Sequence, residues 1–340
     1  MRKKDQARAL WNMCFNDSPE FTELYFRERY TDHNTIGISE NGAMVTVMQL
    51  LSYPFNFLNR QVASAYVSGS CPDPEQRNKG LMNKLLKKSL LQLNEHKTPI
   101  CTLIPANEGL FGFYHKSGFE TVFYKNEVTL KSSNLPKEKE HKYSHVVETE
   151  YTPHSFEYLD KALNRFNASI LHTKDDYMVV LDDLKLAKGS VFAVFEQGSQ
   201  VGLAITYLDT ENEQAVINEL LFDNDEVRAY LLHTIENFYQ VKEIRLTKSA
   251  TFEDGSPFGM LRIIKADDVL QIFAEANPTW EESFILEDHI ITANEGTYTI
   301  KNGEVKFTKN RLPNLGVITI SDLAEILFKP LDPYMSLMLD

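Results

Sequence analysis

Residues 69–90 read GSCPDPEQRNKGLMNKLLKKSL, and this stretch decides the fold. A β-rich run ends at Ser68 to Cys71, and Pro72 and Pro74 then stop ladder pairing because proline has no amide to donate. Arg77-Asn78-Lys79-Gly80 opens a helix that carries Leu81, Leu85, Leu86 and Leu90 on one face. Such a turn presents successive backbone N–H groups at the positive end of a helix, a geometry suited to a pyrophosphate. Gly80 permits close backbone approach or a left-handed φ. Arg77 and Lys79 add positive charge, and solvent-facing side chains explain them equally well.

Upstream, Gln6–Phe15 and Ser18–Tyr30 read as helices, with Asp17 or Ser18 as N-cap and Pro19 in the first turn. The following TIGISENGAMVTVMQLLSYPF and RQVASAYVSGS form a hairpin through Asn41-Gly42. Downstream come a strand (TPICTLIPA), a short helix (EGLFGFYHKSG) and a closing strand (ETVFYKNEVTL). The polar SSNLPKEKEHKYSH then reads as a linker or exposed crossing.

The same grammar returns at residues 145–258. Ser155–Asn167 is helical, GSVFAVFEQGSQVGLAITYLD is a hairpin turning at Gln197-Gly198, and strand, helix and strand follow. The glycine-bearing turn is missing, which makes this a degenerate repeat. Residues 259–340 begin with a strand running into a helix, MLRIIKADDVLQIFAEA. Short strands follow, with a hairpin at Asn302-Gly303 and a helix capped by Ser321. The apolar DPYMSLMLD at the end suits a docked segment rather than a frayed one.

Composition narrows the class. With 43% hydrophobic and 24% charged residues over 340 positions, the chain can bury a large core in two or three domains. A net charge of −13 argues against a nucleic-acid partner and is compatible with a cationic substrate. No apolar run is long enough for a membrane helix. The opening MRKKDQARALWNMCF reads as an amphipathic helix, so the cytoplasm is the expected location. Cys14, Cys71 and Cys101 are widely spaced without a C-x-x-C pair, so neither a disulfide framework nor a zinc site is expected. Glu281, Glu282, Glu287 and Asp288 read as an acidic surface without a metal-ligand pattern.

The turn Arg77-x-x-Gly80-x-Met82, followed by Phe113-Tyr114-His115-Lys116-Ser117-Gly118-Phe119, resembles the GCN5-related N-acetyltransferase (GNAT) family over residues 1–130. That family's coenzyme-A loop reads Q/R-x-x-G-x-G/A, and Met82 replaces its last small residue. The domain order resembles the enhanced intracellular survival (Eis-type) acetyltransferases. The expected fold is α/β (α+β), with tandem GNAT units (1–135 and 145–258) whose mixed sheets are mostly antiparallel. A sterol-carrier-protein-like α+β unit (259–340) completes it.

The resemblance implies acetyl-CoA as cosubstrate, bound by Ser70, Cys71, Arg77, Asn78, Lys79, Gly80, Leu81, Met82 and Asn107. It implies Tyr114 as general acid, the carboxylate on Asp340 as base, no metal, and a homohexamer. Glu108 and His115 compete for the role of base. Cys71 lies beside the expected thioester but has no neighbouring base in sequence, so direct transfer to an amine is preferred over a cysteine nucleophile. Trp11, Tyr25, Phe26, Tyr30 and the Tyr53-Pro54-Phe55 segment either line an acceptor pocket or pack the core. The alternatives to an amine N-acetyltransferase are a non-catalytic coenzyme- or lipid-binding protein and a transferase of another acyl group.

Overall fold

The computed structural model describes residues 2–136 and 142–339; the middle of the expected linker and Asp340 lie outside them. The first unit comprises α1 (Lys3–Cys14), α2 (Pro19–Glu28), β1 (Thr35–Glu40), β2 (Ala43–Phe57), β3 (Arg60–Pro72), α3 (Leu81–Glu95), β4 (Ile100–Leu103), α4 (Glu108–His115) and β5 (Glu120–Lys131). The second comprises β6 (Tyr143–Glu148), α5 (Pro153–Leu163), β7 (Ala168–Ile170), α6 (Lys174–Leu186), β8 (Ser190–Glu196), β9 (Ser199–Asp209), β10 (Gln214–Phe222), α7 (Asp225–Tyr239) and β11 (Glu243–Ala250). Then follow β12 (Ser256–Ile263), α8 (Ala266–Ala276), β13 (Glu282–Glu287), β14 (Gly296–Lys301), β15 (Glu304–Thr308), β16 (Gly316–Thr319) and α9 (Ile320–Phe328).

Both units join in one 12-stranded sheet, ordered β1-β2-β3-β4-β12-β5-β11-β10-β9-β8-β6, with β7 paired to β2. The seam is β5 against β11, antiparallel from Tyr124–Ala250 to Lys131–Glu243. β12 lies between β4 and β5, antiparallel to both. A strand far downstream therefore completes the first unit. β13–β16 form a separate four-stranded sheet, β15-β14-β13-β16. β2 is buried along most of its length because helices cover both faces, which explains its near-continuous apolar run.

The two units repeat one another in detail. β3 and β4 run parallel from Ser64–Ile100 to Tyr66–Thr102, and β10 and β11 do so from Ala215–Ile244 to Ile217–Leu246. Beyond those pairs, β3 and β10 each part from their parallel neighbour. Each also carries a bulge just there: Gly69 and Ser70 oppose Met48 on β2, and Asn218 is the extra residue between Ile217 and Glu219. The connections to the next helix differ. Residues 73–80 join β3 to α3, whereas Asp223 and Asn224 alone join β10 to α7. The Asn224 side chain accepts hydrogen bonds from the amides of Glu226 and Val227 at the front of α7, and Asp225 and Glu226 fill its first turn. Those carboxylates would repel a phosphate.

Local chemistry sets the helix ends. Ser18 caps α2, its hydroxyl accepting from the Phe21 amide at 3.1 Å, with Pro19 following. For α9 the cap is Thr319 rather than the expected Ser321. Thr319 forms a reciprocal box with Asp322, two residues earlier in register. The expectation that Asp288 is surface is also corrected. Arg262 and Asp288 are each about 1% exposed in their side chains and pair at 2.7 Å. Asp288 also accepts from the amides of Ile290 and Ile291 and from the side chain of Asn294. Spacing along the chain could not show that a guanidinium from β12 would cover this carboxylate.

Candidate active site

The turn before α3 is built from residues that tolerate left-handed backbone. Asn78 has φ 65° and Gly80 φ 72°, and Asp73 steadies the approach by accepting from the Glu75 amide. A Cβ on Gly80 would meet nothing within 4 Å, so the space before the helix stays open. The Lys84 amide donates to the Gly80 carbonyl, which places the amides of residues 81–83 ahead of the α3 ladder, facing forward. Leu81 is buried and Met82 packs at the edge of the core. The cationic side chains are engaged elsewhere. The Lys79 ammonium donates to Gln76 at 2.6 Å, and Arg77 interacts with the Cys14 thiol. The turn thus presents mainly backbone N–H groups.

The Gly69–Ser70 bulge lies where β3 leaves β4. Gly69 has φ 57°, and a side chain there would collide with Trp11 and Gln49. The hydroxyls of Ser70 and Thr102 and the amide group of Gln49 are buried without a hydrogen-bond partner among the described residues. Buried polar groups are normally satisfied, so three such groups on β2, β3 and β4 mark a place built to meet a polar ligand. Cys71 is fully buried against α1, with Ala7 and Trp11 in the same cluster. A hydrogen bond with Cys14 and burial push its thiol well above the usual range, which is unfavourable for a nucleophile. Its partner Cys14 is brought down to about 7, first by hydrogen bonding with Cys71 and then, against an opposing effect of burial, by Arg77.

Tyr114 projects from α4 into the apolar cluster that holds Leu85 and Leu86 of α3, Val67 of β3 and Leu103 of β4. Its ring is 6% exposed and meets Phe119 edge-on at 5.8 Å. The helix carrying the turn and the helix carrying the phenol therefore pack in one layer on the same face of the sheet. Asn107 caps α4 by position without a side-chain bond and is exposed. Glu108 is exposed in the first turn of α4, and His115 pairs with Glu120 at 3.1 Å on the surface. Trp11, Tyr25, Phe26 and Tyr30 are buried in one aromatic cluster and serve as core.

A cavity of about 710 Å³ opens between the first two units. It runs from Ile104, just past β4, to Asn218 and Thr247 beside the second splay. Phe123, Phe258 and Asp183 line it, and so does the segment 333–339. Burial holds the Asp183 carboxyl above its ordinary pKa. Sequence reading missed Gln49 and Thr102, although a glutamine inside the apolar run MVTVMQLL was a usable signal. It also missed the cavity, whose walls come from distant segments. Among the described residues no group of three or more His, Cys, Asp or Glu side chains could hold a metal, and no helix is long and apolar enough to cross a membrane.

No curated protein sequence matches the chain. Among solved structures, a GCN5-related N-acetyltransferase from Anabaena variabilis aligns with TM-score 0.79 at 16% identity, covering 97% of this chain and 96% of that one. An Enterococcus faecalis protein described as a probable N-acyltransferase gives 0.77 at 19% identity, covering 95% and 86%. Eis1 from Mycobacterium abscessus gives 0.70 at 13%, covering 95% and 86%. At these identities the likeness establishes the shared fold. A family model described as an acetyltransferase (GNAT) domain matches residues 2–122, which contain the turn, the bulge and Tyr114. The N-terminal unit of this chain is thus similar to the acetyltransferase (GNAT) domain over residues 2–122, and the chain is an acyltransferase enzyme with a tandem GNAT-like fold.

Proposed function

We propose that the chain moves an acetyl group from acetyl-CoA directly to an amine of a small molecule or peptide. The observation that carries this reading is the pairing of an open left-handed turn at Gly80 with the Gly69–Ser70 bulge, both inside the matched domain. The amides at the front of α3, with Arg77, Asn78, Lys79, Gly80, Leu81 and Met82, would hold the diphosphate. Asn107 would flank the pantetheine arm. Ser70, Cys71 and the bulged backbone would direct N–H groups at the thioester oxygen, where negative charge grows. Tyr114 would give its proton to the departing sulfur, and the carboxylate on Asp340 would take one from the incoming amine. C–N bond formation and C–S cleavage then leave an amide and free coenzyme thiol. The cavity would receive the acceptor, with Asp183 favouring a cationic one.

The apolar cavity wall, with Phe123, Phe258 and Leu184, supports a second reading, transfer of a longer acyl group. Cytoplasmic location, a sterol-carrier-like C-terminal unit and assembly into a homohexamer belong to the first reading. Sedimentation of the purified protein tests the assembly.

The direct test is thiol release from purified protein with acetyl-CoA and a panel of polyamines, aminoglycosides and peptides, repeated with longer acyl-CoAs. Acetylated amine in step with thiol supports the proposal. Thiol release without any acylated amine would sink it.

A further inference from the structure

In the second unit, the splay that corresponds to the β3–β4 splay of the first is met by Tyr334 and Ser336. β10 parts from β11 after Ile217, as β3 parts from β4 after Tyr66. Immediately beyond the β10 bulge stands Glu219, fully buried. Among the described residues its hydrogen-bond donors are the Tyr334 hydroxyl, the Ser336 hydroxyl and the Leu220 amide. None of them is a cation. A carboxylate buried without a counter-ion is costly unless its hydrogen bonds are well made.

The segment is tied down on its other side too. Ile170 and Tyr334 exchange backbone contacts with the β7 edge, the Ile170 amide donating to the Tyr334 carbonyl at 3.0 Å and the Tyr334 amide to the Ala168 carbonyl at 2.9 Å. The Tyr334 ring stacks on Phe166 at 4.2 Å, and the His172 ring donates through Nε2 to the Ser336 carbonyl at 3.1 Å. From that anchor residues 335–339 run along the cavity wall, with Met335 and Leu339 buried.

We propose that Glu219 is a positioning residue for acyl transfer: by holding Tyr334 and Ser336 in the second splay, it sets the course of residues 335–339 along the wall of the acceptor cavity. The inference rests on the function proposed above. It assigns the degenerate unit a task, which is to clamp a segment of chain where its sibling clamps a cosubstrate.

The test uses the full-length chain. The double variant Tyr334→Phe, Ser336→Ala removes both hydroxyl donors and keeps the ring stacked on Phe166. Glu219→Gln changes the acceptor from the other side. If one variant fails to fold, the other still decides. Amide hydrogen exchange of residues 334–339 should quicken about tenfold or more, the scale expected for losing a hydrogen bond to a charged group. In the transfer assay kcat should fall about tenfold, while the KM for acetyl-CoA stays within about twofold. A merely structural weakening would not separate the two constants in that way. Unchanged exchange overturns the anchor, and unchanged kcat in a variant with accelerated exchange overturns the positioning role. A wild-type chain that acetylates no amine would instead overturn the function itself, and exchange would still decide the anchor.

Discussion

Replacing Tyr114 with phenylalanine keeps its contacts with Phe113 and Phe119 and removes one proton. Turnover should fall about 100-fold, the lower range for losing a general acid, with acetyl-CoA affinity intact. Undiminished steady-state turnover would reject the assignment. His172 governs a different property. Burial lowers its pKa to about 4, with Nδ1 lacking a hydrogen-bond partner among the described residues and Nε2 bonded to the Ser336 carbonyl. The unfolded chain titrates this imidazole near 6.5, so the native state gains stability that is complete above about pH 6.5. That stability, about 3 kcal/mol, drains away as pH falls towards 4. Urea unfolding across this window should show the decline, and His172→Asn should flatten it. At the Arg262–Asp288 pair, truncating either partner to alanine strands a buried charge and should cost about 3–5 kcal/mol, measurable as a lower denaturation midpoint. Gly118 belongs to the same site. With φ 83° and the Arg262 guanidinium against it, it has no room for a side chain.

At the scale of elements, the Gly69 bulge is the feature most open to test. Gly69→Ala combines a left-handed φ with collision against Trp11 and Gln49, and should lower stability by about 1–3 kcal/mol from the backbone alone. Gly80→Ala meets no atom within 4 Å but inherits a left-handed φ of 72°, so it should cost about 1–2 kcal/mol of stability without a collision and weaken acetyl-CoA binding, read by calorimetric titration. These contrasting glycines also show what a sequence displays. The hairpins at Asn41-Gly42, Gln197-Gly198 and Asn302-Gly303 were legible because turn chemistry is local. The helix after Gly80 was legible through its leucines. The bulge was not, because it is defined by Met48 on another strand. α6 and the short β7 escaped notice as well; the capping box Thr173–Asp176 was a readable start for α6, but its partner α2 lies far away in sequence. Asp288 looked like surface because it sits among acidic neighbours, while its cation arrives from β12.

For the whole molecule, the seam of β5 on β11 and the insertion of β12 make the two GNAT-like units one sheet. A fragment ending near residue 135 would bare the edges of β4 and β5 where β12 and β11 belong. It should be poorly soluble and show little cooperative melting, whereas a fragment reaching past residue 263 should recover that sheet. This division of labour between near and distant contacts has a consequence for biosynthesis. The N-terminal unit is encoded first but cannot close until the ribosome has delivered β12, roughly twice as far along the chain. Through that interval its edge strands stay unpaired, which is when chaperones would find it and when aggregation would compete with folding.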